Sequence, residues 1–93
     1  MSATGSSSHE RACREAVERA LAGDWEAAHV LVQDPSETDA TAAWIHAVVH
    51  RMEGDLGNAR YWYRRCGRTL RENVSTEAEL REIHARLTSG ARA

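Results

Sequence analysis

The chain has no lysine and no phenylalanine, and it has only one proline and two cysteines among its 93 residues. It also lacks a long apolar run, which excludes a membrane span. A content of 42% apolar and 28% charged residues excludes a wholly disordered or collagen-like chain. The net charge of −2 provides no general attraction to nucleic acid or to an anionic membrane, so neither is an expected partner.

A chain of this length has room for one domain. Residues 1–8 are small and polar without periodicity, so we predict a disordered leader there and a single helical domain over residues 9–90. The N-terminus does not resemble a signal peptide, and Cys13 and Cys66 form no C-x-x-C pair. We therefore predict a cytoplasmic protein with free thiols. The alternative, a disulfide, requires the fold to bring the two cysteines together.

Apolar residues recur at intervals of three and four along most of the chain, which is the period of an amphipathic helix. The first such segment ends at Gly23, the second at Asp34-Pro35 and the third at Gly54. Apolar and polar residues do not alternate over the length of a strand. We predict an all-α fold of about five helices, arranged as two antiparallel helical hairpins and a C-terminal helix.

The boundaries of the last two helices are also predicted from local signals. The apolar stripe of the fourth helix continues through Gly67 to Leu70, so we expect this helix to extend past Gly67. Thr76 and Glu79 have the spacing of a capping box, which predicts the start of a last helix that ends near Gly90.

A Gly-Asp pair occurs twice, 31 residues apart, each time with alanine five positions after the glycine. A turn glycine, an N-cap aspartate and a small residue where two helices cross are what a tight helical hairpin requires. The pairs are Gly23-Asp24, with Ala28, and Gly54-Asp55, with Ala59.

These pairs resemble the second-helix pattern of the tetratricopeptide (TPR) family, in which an apolar residue follows Gly-Asp and an aromatic residue follows the alanine by four. The second copy has Leu56 and Tyr63 at these positions. The first has Trp25, and Val32 replaces the aromatic residue. The chain departs from the family in its repeat length, which is short of about 34 residues, in an early Pro35 and in the lack of a third repeat.

The resemblance covers about residues 12–70 and implies a helical module that binds another protein or a second copy of itself. Residues 44–65 also resemble a block in small bacterial proteins of unassigned function. A composition with arginine as the only basic residue and sixteen alanines is typical of a GC-rich genome. Two hairpins leave apolar surface uncovered, so we predict a protein partner or a homodimer.

His46, His50 and Glu53 lie at intervals of four and three, which places their side chains on one side of a helix. Two imidazoles and a carboxylate are ligands for a divalent metal, and Asp55 or His29 could complete the set. The alternative is structural, because histidines between two packed helices also form hydrogen bonds that satisfy a core.

Several arginines with interleaved aromatic residues predict a surface for an anion or a partner. The alternative is a solvated face whose arginines pair with acids of the first two helices. The candidate residues are Arg60, Arg64, Arg65, Arg68 and Trp62, with Arg71 further along the stripe.

The sequence contains no phosphate-binding loop and no nucleophile motif. The sequence therefore favours a protein-binding or self-associating module over an enzyme. The alternative function is a metal-binding protein or a small metal-dependent enzyme built around His46, His50 and Glu53.

Overall fold

The computed structural model describes residues 4–92, and the side chains of residues 9–88. Over this part of the chain the fold is all-α, as predicted, and contains no strand. A 3₁₀ turn, Pro35–Glu37, follows the second helix. The five helices are α1 (Thr4–Leu21), α2 (Trp25–Gln33), α3 (Ala40–Glu53), α4 (Leu56–Arg65) and α5 (Thr76–Arg92).

Helix α1 begins at Thr4, so residues 4–8, which the sequence assigned to a disordered leader, belong to its first turns. Residues 1–3 of that leader lie outside the described residues. Once a helix has formed, each residue added to its end gains one hydrogen bond, and the low helix propensity of serine opposes this only weakly.

Both Gly-Asp pairs form the predicted hairpin turns. Gly23 and Gly54 have φ of +91° and +93°, a region that favours glycine. The amide of Asp24 bonds to the carbonyl of Arg19, and the amide of Asp55 bonds to that of His50, which is the Schellman pattern. Each aspartate then accepts a hydrogen bond from the third residue of the next helix and caps it.

We expect Gly54→Ala to lower the free energy of unfolding by about 1–2 kcal/mol, because a side chain is disfavoured in the left-handed region. An added Cβ would meet nothing within 4 Å, so the cost is conformational and not steric. Gly57→Ala is the matched control, because Gly57 lies inside α4 and alanine should stabilise a helix there by about 0.5–1 kcal/mol. Urea denaturation followed by circular dichroism measures both. Equal effects of the two substitutions would contradict this account.

One predicted boundary is wrong. Helix α4 does not pass Gly67 but ends at Arg65, because Gly67 has φ +74° and the amide of Arg68 turns back to the carbonyl of Tyr63. Helix α5 runs to Arg92, within two residues of its predicted end near Gly90.

The start of α5 also differs from the predicted capping box. The hydroxyl of Ser75, one residue earlier than Thr76, accepts a hydrogen bond from the amide of Ala78. Glu79 is therefore not used as a cap, and its side chain is buried instead.

The core lies between the two hairpins and α5. Helix α3 is central and packs against α1, α2, α4 and α5, so that residues 42–50 are all buried. Helix α5 packs against α1 and α3 and covers one face of each. Across the described residues, no helix combines the length and apolar character that crossing a membrane requires.

Candidate metal centre

Three histidines meet between α2, α3 and α4. His46 and His50 occupy successive turns of α3, and the packing of α2 on α3 brings His29 to them. One ring nitrogen from each of the three histidines lies within 4.8 Å of the other two. His46 and His50 are buried and His29 is partly exposed, so the cluster reaches solvent on the α2 side.

Hydrogen bonds fix the proton on the His46 ring. The Ser36 hydroxyl donates its only proton to the carbonyl of Val32, at 2.5 Å, so it accepts from Nδ1 of His46, at 3.0 Å. Nε2 of His46 then carries a lone pair and lies 3.1 Å from Nε2 of His29, which donates to it. The His46 ring is thus held with its free nitrogen directed at the cluster.

The ring of His46 is also fixed by stacking. It lies 4.2 Å from the Trp62 ring, centroid to centroid, at an interplanar angle of 14°. His50 also stacks on it, at 4.9 Å and 23°. Because Trp62 of α4 stacks on its ring, His46 cannot swing away from the cluster without repacking α4.

Glu53 does not join His46 and His50 in one group of three ligands, as the sequence predicted. Its carboxylate accepts from Nδ1 of His50 at 2.8 Å and belongs to a second group, with His50 and Asp55. A carboxylate on Nδ1 directs Nε2 of the neutral ring away from Glu53, as outer carboxylates do for metal-bound histidines. The structure thus joins His46 and His50 to His29, and Glu53 orients His50.

Two of the three rings are held neutral by their surroundings. Burial, followed by the nearby His29 and His50, lowers the pKa of His46 from 6.5 to about 3. Burial also lowers the pKa of His29, with a further contribution from His50. Neutral imidazoles present free lone pairs, which is the form that binds metal ions.

A second polar cluster, centred on Glu79, was missed at the level of sequence. Its buried carboxylate accepts hydrogen bonds from Arg51, Tyr63 and the indole of Trp44, each at 2.7 Å. These residues belong to α3, α4 and α5, so the cluster fastens α5 to the second hairpin. The available signal was that Glu79 precedes Ile83 by four residues and therefore lies on the apolar face of α5.

Burial, with the hydrogen bond to Glu79 as the next cause, raises the pKa of the Tyr63 phenol. The phenol therefore stays protonated and donates to the carboxylate. The cluster has no buried side-chain polar atom without a hydrogen-bond partner, which is the signature of a structural network.

The structure brings only some of the predicted arginines to one surface. Arg60, Arg64 and Arg68 line a small cleft of about 150 Å³, although Arg68 lies beyond the end of α4. Arg65 lies elsewhere, 5.2 Å over the ring of Trp62. Trp62 itself is buried against His46, so its ring faces the core.

The predicted ion-pair partners of these arginines are different from those observed. Within the described residues the partners are Glu37 of the 3₁₀ turn, Glu72 of the loop before α5, and Glu79 and Glu82 of α5, not acids of α1 and α2. Helix α5 lies over α1 and α3, so its carboxylates reach the arginines of the α4–α5 loop first.

The function has to be inferred from these side chains. No protein-family model, curated protein or solved structure matches the chain.

Proposed function

We propose that the protein binds one divalent transition-metal ion through His29, His46 and His50. The observation that carries this proposal is the convergence of three ring nitrogens within 4.8 Å, two of them on buried side chains. The Nδ1 atoms of His46 and His50 are both occupied by hydrogen bonds to Ser36 and Glu53. This is the outer shell that holds metal-binding imidazoles in one orientation.

The donor set favours one class of metal. Neutral imidazole suits Zn²⁺, Co²⁺, Ni²⁺ and Cu²⁺, whereas Mg²⁺ and Ca²⁺ prefer oxygen ligands. Three histidines leave a fourth tetrahedral position for water or for a small ligand, on the side where His29 is exposed. The metal-dependent enzyme considered from the sequence would use this open position.

The hydrogen bond between His29 and His46 indicates which proton would have to move for an ion to bind. In the metal-free protein the proton on Nε2 of His29 occupies the space between the two rings. Binding requires His29 to carry its proton on Nδ1 instead, after which both Nε2 atoms face the ion. Only the partly exposed ring has to change, because Ser36 already fixes His46.

A protein-binding or self-associating module, which the sequence favoured, has less support. That hypothesis relied on uncovered apolar surface, but α5 covers one face of α1 and one of α3. Large apolar side chains exposed between residues 9 and 88 are Val30, Leu56 and Tyr61. Single exposed apolar residues are ordinary on protein surfaces, whereas three converging histidines are not.

The proposal predicts one equivalent of bound Co²⁺ per chain in a titration of the tag-free, chelator-treated protein. Cobalt in a site of three imidazoles gives visible absorption bands, and Zn²⁺ should displace it and abolish them. His46→Ala should abolish saturable binding. His84→Ala and His9→Ala are the matched controls, because they remove histidines outside the cluster and should leave the stoichiometry at one.

Glu53→Gln tests whether the ion binds to the three histidines or to the second group, which consists of His50, Glu53 and Asp55. If Glu53 only orients His50, the substitution weakens cobalt binding by about 10–100-fold but retains one equivalent. Retention of binding in His46→Ala together with its loss in Glu53→Gln would assign the ion to the second set. Binding that does not saturate in the wild-type protein would reject both.

A further inference from the structure

A cavity of about 390 Å³ lies away from the histidine cluster, among α1, the start of α3, the α4–α5 loop and α5. This volume is within the roughly 300–1,000 Å³ of small-molecule pockets. Its floor contains apolar groups and its walls carry charges of both signs. The floor is formed by Cys13, Trp44, Cys66 and Leu87.

One wall is cationic. The guanidinium of Arg68 lies 3.4 Å from the centre of the Trp44 ring, and that of Arg86 lies 5.4 Å from it. The indole is itself held by its hydrogen bond to Glu79. Among the described residues, neither Arg68 nor Arg86 takes part in an ion pair, so their N–H groups are available to a ligand.

The other wall is anionic. Glu10 and Asp39 line it, and Asp39 is fixed because one carboxylate oxygen caps α3 through the amides of Thr41 and Ala42. Its other oxygen lies 3.5 Å from Nδ1 of His9. Within the described residues Glu10 has no ion-pair partner.

The thiols in the floor are not reactive groups. Burial, and then the charges of Asp39 and Glu10, raise the pKa of Cys13 to about 12. Burial likewise raises the pKa of Cys66. Protonated thiols act as small apolar groups, so the cavity is suited to binding and not to thiolate chemistry.

We infer that this cavity binds a free amino acid with an apolar side chain. The carboxylate would lie against Arg68 and Arg86, the ammonium against Glu10 and Asp39, and the side chain on the apolar floor. A purely anionic ligand would meet the two carboxylates, and a cation would meet the two guanidiniums. A zwitterion is the class of ligand that satisfies both walls.

Leucine and two analogues of the same shape test this inference. 4-Methylpentanoate lacks the ammonium group of leucine, and 3-methylbutylamine lacks its carboxylate. Each is titrated into the full chain while the indole N–H signal of Trp44 is followed by NMR. We expect saturable binding of leucine, and at least tenfold weaker binding of either analogue, because each leaves one charged wall unpaired.

Variants then assign the walls. Arg86→Gln and Arg68→Gln should each weaken leucine binding at least tenfold, whereas Arg64→Gln, outside this cavity, should not change it. Glu10→Gln should weaken leucine binding but strengthen binding of 4-methylpentanoate. If Arg68→Gln fails to fold, the Arg86 and Glu10 variants still test the inference, because both of these side chains are exposed.

Three results would overturn the inference: no shift of the Trp44 signal with leucine, equal binding of all three compounds, or unchanged binding in Arg86→Gln. The histidine cluster contributes none of the lining residues. Failure here therefore leaves the metal proposal untouched, and the converse also holds.

Discussion

Replacing Glu79 with alanine is expected to lower the free energy of unfolding by about 3–5 kcal/mol, the usual cost of removing one partner from a buried ion pair. The substitution leaves the Arg51 guanidinium, the Tyr63 hydroxyl and the Trp44 indole N–H without their shared acceptor. A domain of this length is stable by roughly 5–14 kcal/mol, so the loss is a large fraction of the total. Urea denaturation followed by circular dichroism measures it.

Glu77→Ala provides the matched control on the same helix. Glu77 pairs with Arg81 at 2.9 Å, but both side chains are 67% exposed, so its removal should cost less than about 1 kcal/mol. If Glu79→Ala fails to fold, Tyr63→Phe removes one donor from the cluster and should cost about 1 kcal/mol. Equal stabilities of Glu79→Ala and Glu77→Ala would show that the cluster does not fasten α5.

The hairpins could be predicted because the signals for them are local. A glycine with positive φ followed by an aspartate that caps the next helix involves only a few consecutive residues, as at Gly23-Asp24 and Gly54-Asp55. Gly67 has the same turn geometry but no aspartate after it. The continuing apolar stripe therefore predicted a helix where the chain actually turns.

Only the part of the histidine cluster that depends on local spacing could be predicted from the sequence. His46 and His50 share a helix face through their spacing alone, but the contact with His29 depends on how α2 packs on α3, over 17 residues of chain. The role of Ser36 also depends on the assembled fold, because it orients His46 from the 3₁₀ turn. The partners of Glu79 are separated from it by up to 35 residues, so only the assembled fold identifies them.

The metal-free protein is expected to lose roughly 3 kcal/mol of stability between pH 7 and pH 4 because of His46 alone. The pKa of this ring is 6.5 in the unfolded chain and about 3 in the folded one. Below pH 6.5 the unfolded chain therefore binds a proton that the folded protein excludes, and acid favours unfolding. The lowered pKa of His29 acts in the same direction.

The comparison that isolates this effect is the slope of unfolding free energy against pH in wild type and in His46→Gln. Carboxylates whose pKa values are lowered, such as Asp55 and Glu82, also weaken the fold in acid, but they contribute equally to both proteins. Between pH 6 and pH 4, the unfolding free energy of the variant should change with pH less steeply than that of wild type, by up to about 1.4 kcal/mol per pH unit. This difference is the slope for one proton. His84→Gln should retain the wild-type slope. Parallel curves for wild type and His46→Gln would mean that the ring takes up its proton in the folded protein as readily as in the unfolded chain.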